Sequence, residues 1–126
     1  MTDRIWADNY PKGVSQEISY DKYSTVIDVF NDSCKRFASL PAYSNLGVTI
    51  TYQQLNDLSA DFAAYLEHHT SLKKGDRIAV QMPNLIQFPI VVFGAMRAGL
   101  VVVNTNPMYT EREMEHQFND SGAKAL

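Results

Sequence analysis

Lys74-Gly75-Asp76-Arg77-Ile78-Ala79-Val80-Gln81-Met82-Pro83-Asn84, then an apolar run to Arg97-Ala98-Gly99, then Leu100-Val101-Val102-Val103-Asn104-Thr105-Asn106-Pro107: this stretch, closing at Thr110, decides the fold. Lys74 to Arg77 is a polar turn. Ile78 to Gln81 is a short apolar strand, and Pro83-Asn84 breaks it. Asn84 with Gln87 offers a helix cap. Pro89 fits only in a first turn, where few N–H groups have intrahelical partners, so the helix begins near residues 85–88. Gly99 is a natural C′ stop. Leu100 to Val103 is an unbroken apolar run, as expected of a central parallel strand covered on both faces. Strand, helix and strand of these lengths form one right-handed βαβ unit.

Gly94, Ala95, Ala98 and Gly99 thin one side of that helix, which predicts close packing. Gly94 and Gly99 match the spacing of a phosphate-binding loop, but Leu100-Val101 stands where such a loop needs Lys and Ser or Thr. Leu85 to Val103 is interrupted by Gln87, Pro89, Arg97 and Gly99. It reads as a buried helix and strand, not as a membrane span of about 20 apolar residues.

Beyond Pro107, Thr110 and Glu113 form a capping box opening a helix with Met114 and Phe118 on its apolar side. Glu111, Glu113, Glu115 and His116 suit a solvated helix start, where acids favour the dipole, better than a metal site. Ser121-Gly122 ends the helix, and Ala123 to Leu126 starts another strand. A chain closing there reads as cut through a larger domain.

Towards the N-terminus, Thr51 and Gln54 form a second capping box. Leu55, Leu58, Phe62, Tyr65 and Leu66 make the buried face of that helix, opposite Asp57, Asp61 and Glu67. His68 and His69 close it; adjacent residues on a helix project about 100° apart, so they converge poorly on a metal. Ala42 to Thr51 is a β-hairpin turning near Asn45 to Gly47. Thr25 to Ser39 is a helix capped by Thr25, with Asp28 near its positive end and an apolar stripe of Ile27, Phe30, Cys34 and Phe37. Pro41 ends it. Residues 1–24 lack periodicity and form an extended arm carrying Trp6, Tyr10, Tyr20 and Tyr23. Its aromatics pack on the domain's own surface or on a neighbouring subunit. Residues 25–126 are then an α/β subdomain.

At 126 residues the chain suffices for one domain with one core. A net charge of −3 with scattered cations gives no footprint for nucleic acid. Lys73, Lys74 and Arg77 are the nearest to a cluster, and a solvated turn accounts for them. Cys34 is the only cysteine, which excludes an intrachain disulfide and a thiolate metal site. Its stripe makes it a small core residue. The first ten residues have no apolar signal-peptide core, so a reducing compartment is expected and the two Asn-x-Ser sequons are chance matches.

Taken together, these segments resemble the N-terminal part of the adenylate-forming enzyme superfamily. Thr51-Tyr52-Gln53-Gln54-Leu55 is similar to its first motif, Thr-Tyr-x-x-Leu, with Gln54 where an acid often stands. Arg97-Ala98-Gly99 through Asn104 and Asn106-Pro107 is similar to its second. Lys74 to Arg77, Gln81 to Asn84 and Asn106 to Met114 resemble the acyl-CoA ligase branch, and Ile5-Trp6 with Tyr10-Pro11 the bacterial long-chain fatty acid–CoA ligases. The resemblance implies an N-terminal portion of an adenylating large domain: a β-hairpin, mostly parallel central strands and flanking helices.

It further implies an ATP- and Mg²⁺-dependent parent enzyme. A fatty carboxylate attacks the α-phosphate to give acyl-adenylate and pyrophosphate, and the CoA thiol then gives acyl-CoA and AMP. The family's Ser/Thr/Gly-rich phosphate loop, aromatic-Thr-Glu motif, ribose-binding Asp and C-terminal lysine do not occur in these residues. No catalytic, cofactor or metal residue is therefore carried over, and this piece is expected to be inactive and to bind no cofactor strongly. Thr51, Tyr52, Leu55, Ala98, Gly99, Asn104 and Pro107 are motif residues with structural roles, Asn104 and Pro107 being at most remote cavity wall. The implied partners are the rest of the ligase chain, a long-chain fatty acid for the parent, and a second copy through the arm, with no nucleic acid. The implied place is the cytoplasm, peripheral at the inner membrane face. Two other readings stand beside this: a dimerisation module, and a free-standing α/β binding domain or a piece of another adenylate-forming ligase.

Overall fold

A computed structural model describes residues 4–19 and 21–126. Residues 1–3 and Tyr20, the latter expected among the arm aromatics, lie outside the described residues. In chain order the elements are α1 (Val26–Arg36), β1 (Pro41–Asn45), β2 (Val48–Thr51), α2 (Tyr52–His69), β3 (Arg77–Val80), α3 (Gln87–Arg97), β4 (Val101–Asn104), α4 (Glu111–Ser121) and β5 (Ala123–Ala125). β1 and β2 form an antiparallel hairpin, and the other strands form a parallel sheet in the order β4-β3-β5. This is the mixed α/β architecture expected, with the βαβ unit β3-α3-β4 at its centre.

Two apolar clusters hold the layers together. Phe30, Cys34, Ile50 and Leu55 pack with Tyr52, Ile86, Ile90 and Phe93 between the hairpin and the first three helices. Leu66, Ile78, Ala95 and Leu100 pack with Phe62, Val102 and Ala125 between α2, α3 and the sheet. The α2–α3 crossing joins the two. A Cβ on Gly94 would lie 2.8 Å from the backbone oxygen of Ser59 and 2.8 Å from Phe62 Cδ1, so only glycine permits this approach.

Four expectations about the helices and strands need correction. First, α1 stops at Arg36, not Ser39. A residue before proline is pushed out of the helical region, so the chain must turn before Leu40, and Pro41 instead begins β1. Second, the buried stripe of α2 is Leu55, Ser59, Ala63 and Leu66. Leu58 is 42% and Tyr65 54% exposed, because the close approach of Gly94 selects small residues on the facing side. Third, among the described residues β4 lies at one edge of the three-stranded sheet and β3 at its centre. Ile78, Ala79 and Val80 are all buried, whereas Val101 is 48% exposed. Fourth, Asn84 does not cap α3. The N-cap is Ile86, without a side-chain hydrogen bond. A cap bonds the N–H of the second or third helical residue, and the third here is Pro89, which has none.

Other features stand as read. Thr25 and Asp28 bond reciprocally at the start of α1. α3 ends in a Schellman motif: Leu100 N–H donates to Ala95 O (2.9 Å) and Gly99 N–H to Met96 O (3.1 Å), with Gly99 at φ 77°. Cys34 is buried, and loss of solvation pushes its thiol pKa up. Within Leu85 to Val103, an 11-residue helix feeds a short strand. Among the described residues no helix is long and apolar enough to cross a membrane.

Within the arm, Arg4 bridges Glu17 at 2.6 Å and Gln16 Nε2 donates to Ala7 O, around a short 3₁₀ turn at Ala7–Asn9. This part is looped rather than extended. Tyr23 ties the arm to α1 by donating to the Asp32 carboxylate, with Arg36 3.5 Å away. The Tyr23 hydroxyl, aided by Lys22 and Arg36, holds the Asp32 pKa below the usual carboxylate value.

Candidate functional site

A parallel sheet presents its ligand crevice where neighbouring strands send their connections to opposite faces. β3 connects through α3 to β4 on one side, and β4 connects through α4 back across β3 to β5. With both crossovers right-handed, α3 and α4 lie on opposite faces. The switch point therefore falls between the C-terminal ends of β3 and β4. Gln81 to Asn84 form one wall, and Asn104 to Pro107 the other.

Backbone and amide groups tie these two segments together. Thr105 N–H donates to Val80 O at 3.0 Å, which carries the ladder one residue beyond β4, and Thr105 is buried. Gln81 Nε2 reaches across to Asn106 O at 3.3 Å and lies 3.2 Å from Met114 Sδ. Gln117 Nε2 donates to Asn104 O at 3.0 Å, while its Oε1 is buried without a partner. Asn106 Oδ1 accepts from Met108 N–H, turning the chain towards α4. There Glu113 accepts from both the N–H and the hydroxyl of Thr110, at 2.8 and 2.7 Å. The Thr110 hydroxyl, then its N–H, holds the Glu113 pKa below the ordinary carboxylate value.

These residues do not fit a magnesium nucleotide. Gln81 to Asn84 and Asn104 to Pro107 contain no Lys, Arg, Asp or Glu. Two amide side chains that could meet phosphate already bond backbone carbonyls, and Glu113 is committed to Thr110. Among the described residues no three His, Cys, Asp or Glu side chains are grouped to hold a metal. What the arrangement offers is a neutral, hydrogen-bonded wall.

The motif residues divide between two places. Thr51 caps α2 through a reciprocal box with Gln54, at 3.2 and 2.9 Å. Tyr52 is half-buried, its N–H donating to Leu40 O, and Leu55 is the most buried residue of the hairpin cluster. Ala98 and Gly99 form the turn into β4, where the Lys74 stem covers Gly99. Asn104 and Pro107 are exposed at the crevice. The first motif thus lies in the hairpin cluster and the second around β4.

Gln81, Thr105 and Gln117 escape a reading of the sequence alone. Gln117 carries a readable signal: with Met114 and Phe118 it completes a helical stripe, which marks it as facing inward. Arg97 stands out in the sequence only as a motif letter, yet it is half-buried and bonds two other helices.

Residues 30–126 match the family model described as AMP-binding enzyme. A long-chain-fatty-acid–CoA ligase of Escherichia coli is 50% identical over 123 residues, 98% of this chain. Its Bacillus subtilis counterpart is 36% identical over 126 residues, all of this chain. The chain spans 22% of the length of each. Among solved structures, the Klebsiella oxytoca NpsA N-terminal subdomain superposes with a TM-score of 0.76 at 27% identity, covering 80% of this chain and 26% of that one.

Proposed function

The chain belongs to the AMP-binding enzyme family, and from that membership we propose that its residues form the N-terminal part of a long-chain fatty acid–CoA ligase. The observation that carries this is identity of 50% across 98% of the chain with a ligase of that name. The parent enzyme joins a long-chain fatty carboxylate to the α-phosphate of ATP, with Mg²⁺, and passes the acyl group to the CoA thiol. When bound, the nucleotide supplies the leaving pyrophosphate that drives acyl activation. The residues in hand take no part in that step. They build a sheet and a neutral crevice wall, with Asn104 and Pro107 at its rim, against which the rest of the enzyme closes. Alone they activate no acid. The proposed setting is the cytoplasm, with peripheral contact at the inner membrane face.

The test uses the full-length gene product. Long-chain fatty acids are expected to drive ATP–pyrophosphate exchange, and acetate or amino acids are not. Exchange driven by an aryl or amino acid instead would replace this reading with that of another adenylating ligase.

A second reading has its own observation. Ile5, Trp6, Val14 and Ile18 of the arm are each more than half exposed. We propose that they contact a second copy of the chain. Light scattering that gives a monomer at every concentration, with and without residues 1–24, would remove this reading.

A further inference from the structure

We infer that Arg97 is the positioning residue that sets where β4, and with it the crevice rim, stands relative to α1 and α2. Arg97 is the last residue of α3, immediately before the Schellman turn that launches β4. Its guanidinium is planar, with donors in a fixed fork, so it can fix direction as well as distance. Nη2 donates to Asn31 Oδ1 on α1 at 2.9 Å and also to Asn56 Oδ1 on α2. Nη1 donates to the Asn56 backbone oxygen at 3.3 Å. The guanidinium carbon lies 5.1 Å above the Phe30 ring, which stacks at 4.0 Å on Phe93 of α3 itself. One side chain thus grips two helices and an aromatic pair stacked between α1 and its own helix. Nε is buried and makes no hydrogen bond to another protein group.

The consequence lies downstream. The Arg97 backbone leads directly into Ala98, Gly99 and Leu100. Leu100 N–H is bonded to Ala95, Val101 N–H to Asp76 O at 2.8 Å, and Thr105 N–H to Val80 O. A tilt of the end of α3 would strain these three bonds in order along the strand, while the body of α2 would keep its own ladder.

Amide exchange on the full-length protein tests this, with Leu100, Val101 and Thr105 as reporters and amides in the middle of α2 as controls. Arg97→Met should accelerate the reporters about tenfold more than the α2 controls, as expected for losing hydrogen bonds to a charged group. Asn31→Ala, a milder change that keeps Arg97 and guards against simple unfolding, should do so by about threefold, since it removes one of the three guanidinium hydrogen bonds and leaves both bonds to Asn56 in place. Arg97→Lys, which keeps charge but loses the fork, should resemble Arg97→Met. Thr51→Ala lowers overall stability without touching Arg97 and should accelerate reporters and controls alike. The inference is overturned if Arg97→Met and Asn31→Ala shift the reporters no more than the controls, or if Arg97→Lys protects them fully. Because exchange is read and not turnover, either outcome leaves the ligase proposal to its own assay.

Discussion

Gly94→Ala puts one methyl group into the tightest contact of the fold. The added Cβ would stand 2.8 Å from the Ser59 backbone oxygen and 2.8 Å from Phe62 Cδ1, with Phe62 Cβ at 3.1 Å. A ring can rotate away, but a backbone carbonyl inside α2 cannot move without moving the helix. Overpacking of this kind costs about 1–3 kcal/mol. Alanine returns about 1 kcal/mol through its better helix propensity. Because part of the clash is with backbone, the cost should fall in the upper half of its range, leaving a net loss of about 1–2 kcal/mol. For a chain of this size that corresponds to a Tm lower by roughly 3–8 °C. Urea unfolding followed by circular dichroism would show a lower midpoint at an unchanged slope. Adding Phe62→Leu relieves the ring contact but not the carbonyl, so Gly94→Ala should still destabilise in that background. A neutral or stabilising Gly94→Ala would refute the close α2–α3 crossing, because an uncrowded helical glycine gains from the change.

Thr51→Ala removes the reciprocal cap of α2 and should cost about 1 kcal/mol, read by chemical denaturation. Gly99→Ala must hold φ 77°, so it should cost roughly 1–2 kcal/mol; the flexible Lys74 stem yields, and Lys74→Ala should rescue little of it. Lys124 bridges Asp76 at 2.7 Å and, with the Lys73 N–H, holds its pKa below the ordinary 3.8. A carboxylate with a depressed folded pKa contributes stability that is complete above its unfolded value and lost as pH falls through the folded one. Acid unfolding monitored below about pH 4 should therefore be less steep in Asp76→Asn, with little change at neutral pH in the slope of stability against pH.

The βαβ centre was legible because its signals are local. Proline, glycine and an apolar run mark a strand, a helix start and a helix stop without knowledge of neighbours. The capping boxes at Thr51 and Thr110 were legible for the same reason. What failed depended on partners. Leu58 and Tyr65 fit a helical stripe as well as Ser59 and Ala63 do, and only the approach of Gly94 decides between them. The run of valines in β4 says that the strand is apolar, not which of its neighbours is present, so central and edge positions read alike. The crevice was legible as a place, at the end of β4, but not as a set of contacts. Gln81 and Gln117 meet it from positions 25 residues before Asn106 and 13 after Asn104, a convergence that topology alone produces.

Fatty-acid-dependent ATP–pyrophosphate exchange by the 126-residue chain alone is the most direct measurement. A scaffold whose crevice is neutral and internally hydrogen-bonded predicts no exchange above background at any long-chain acid concentration. Saturable exchange by this chain would contradict it, and would place acyl activation within the residues described above.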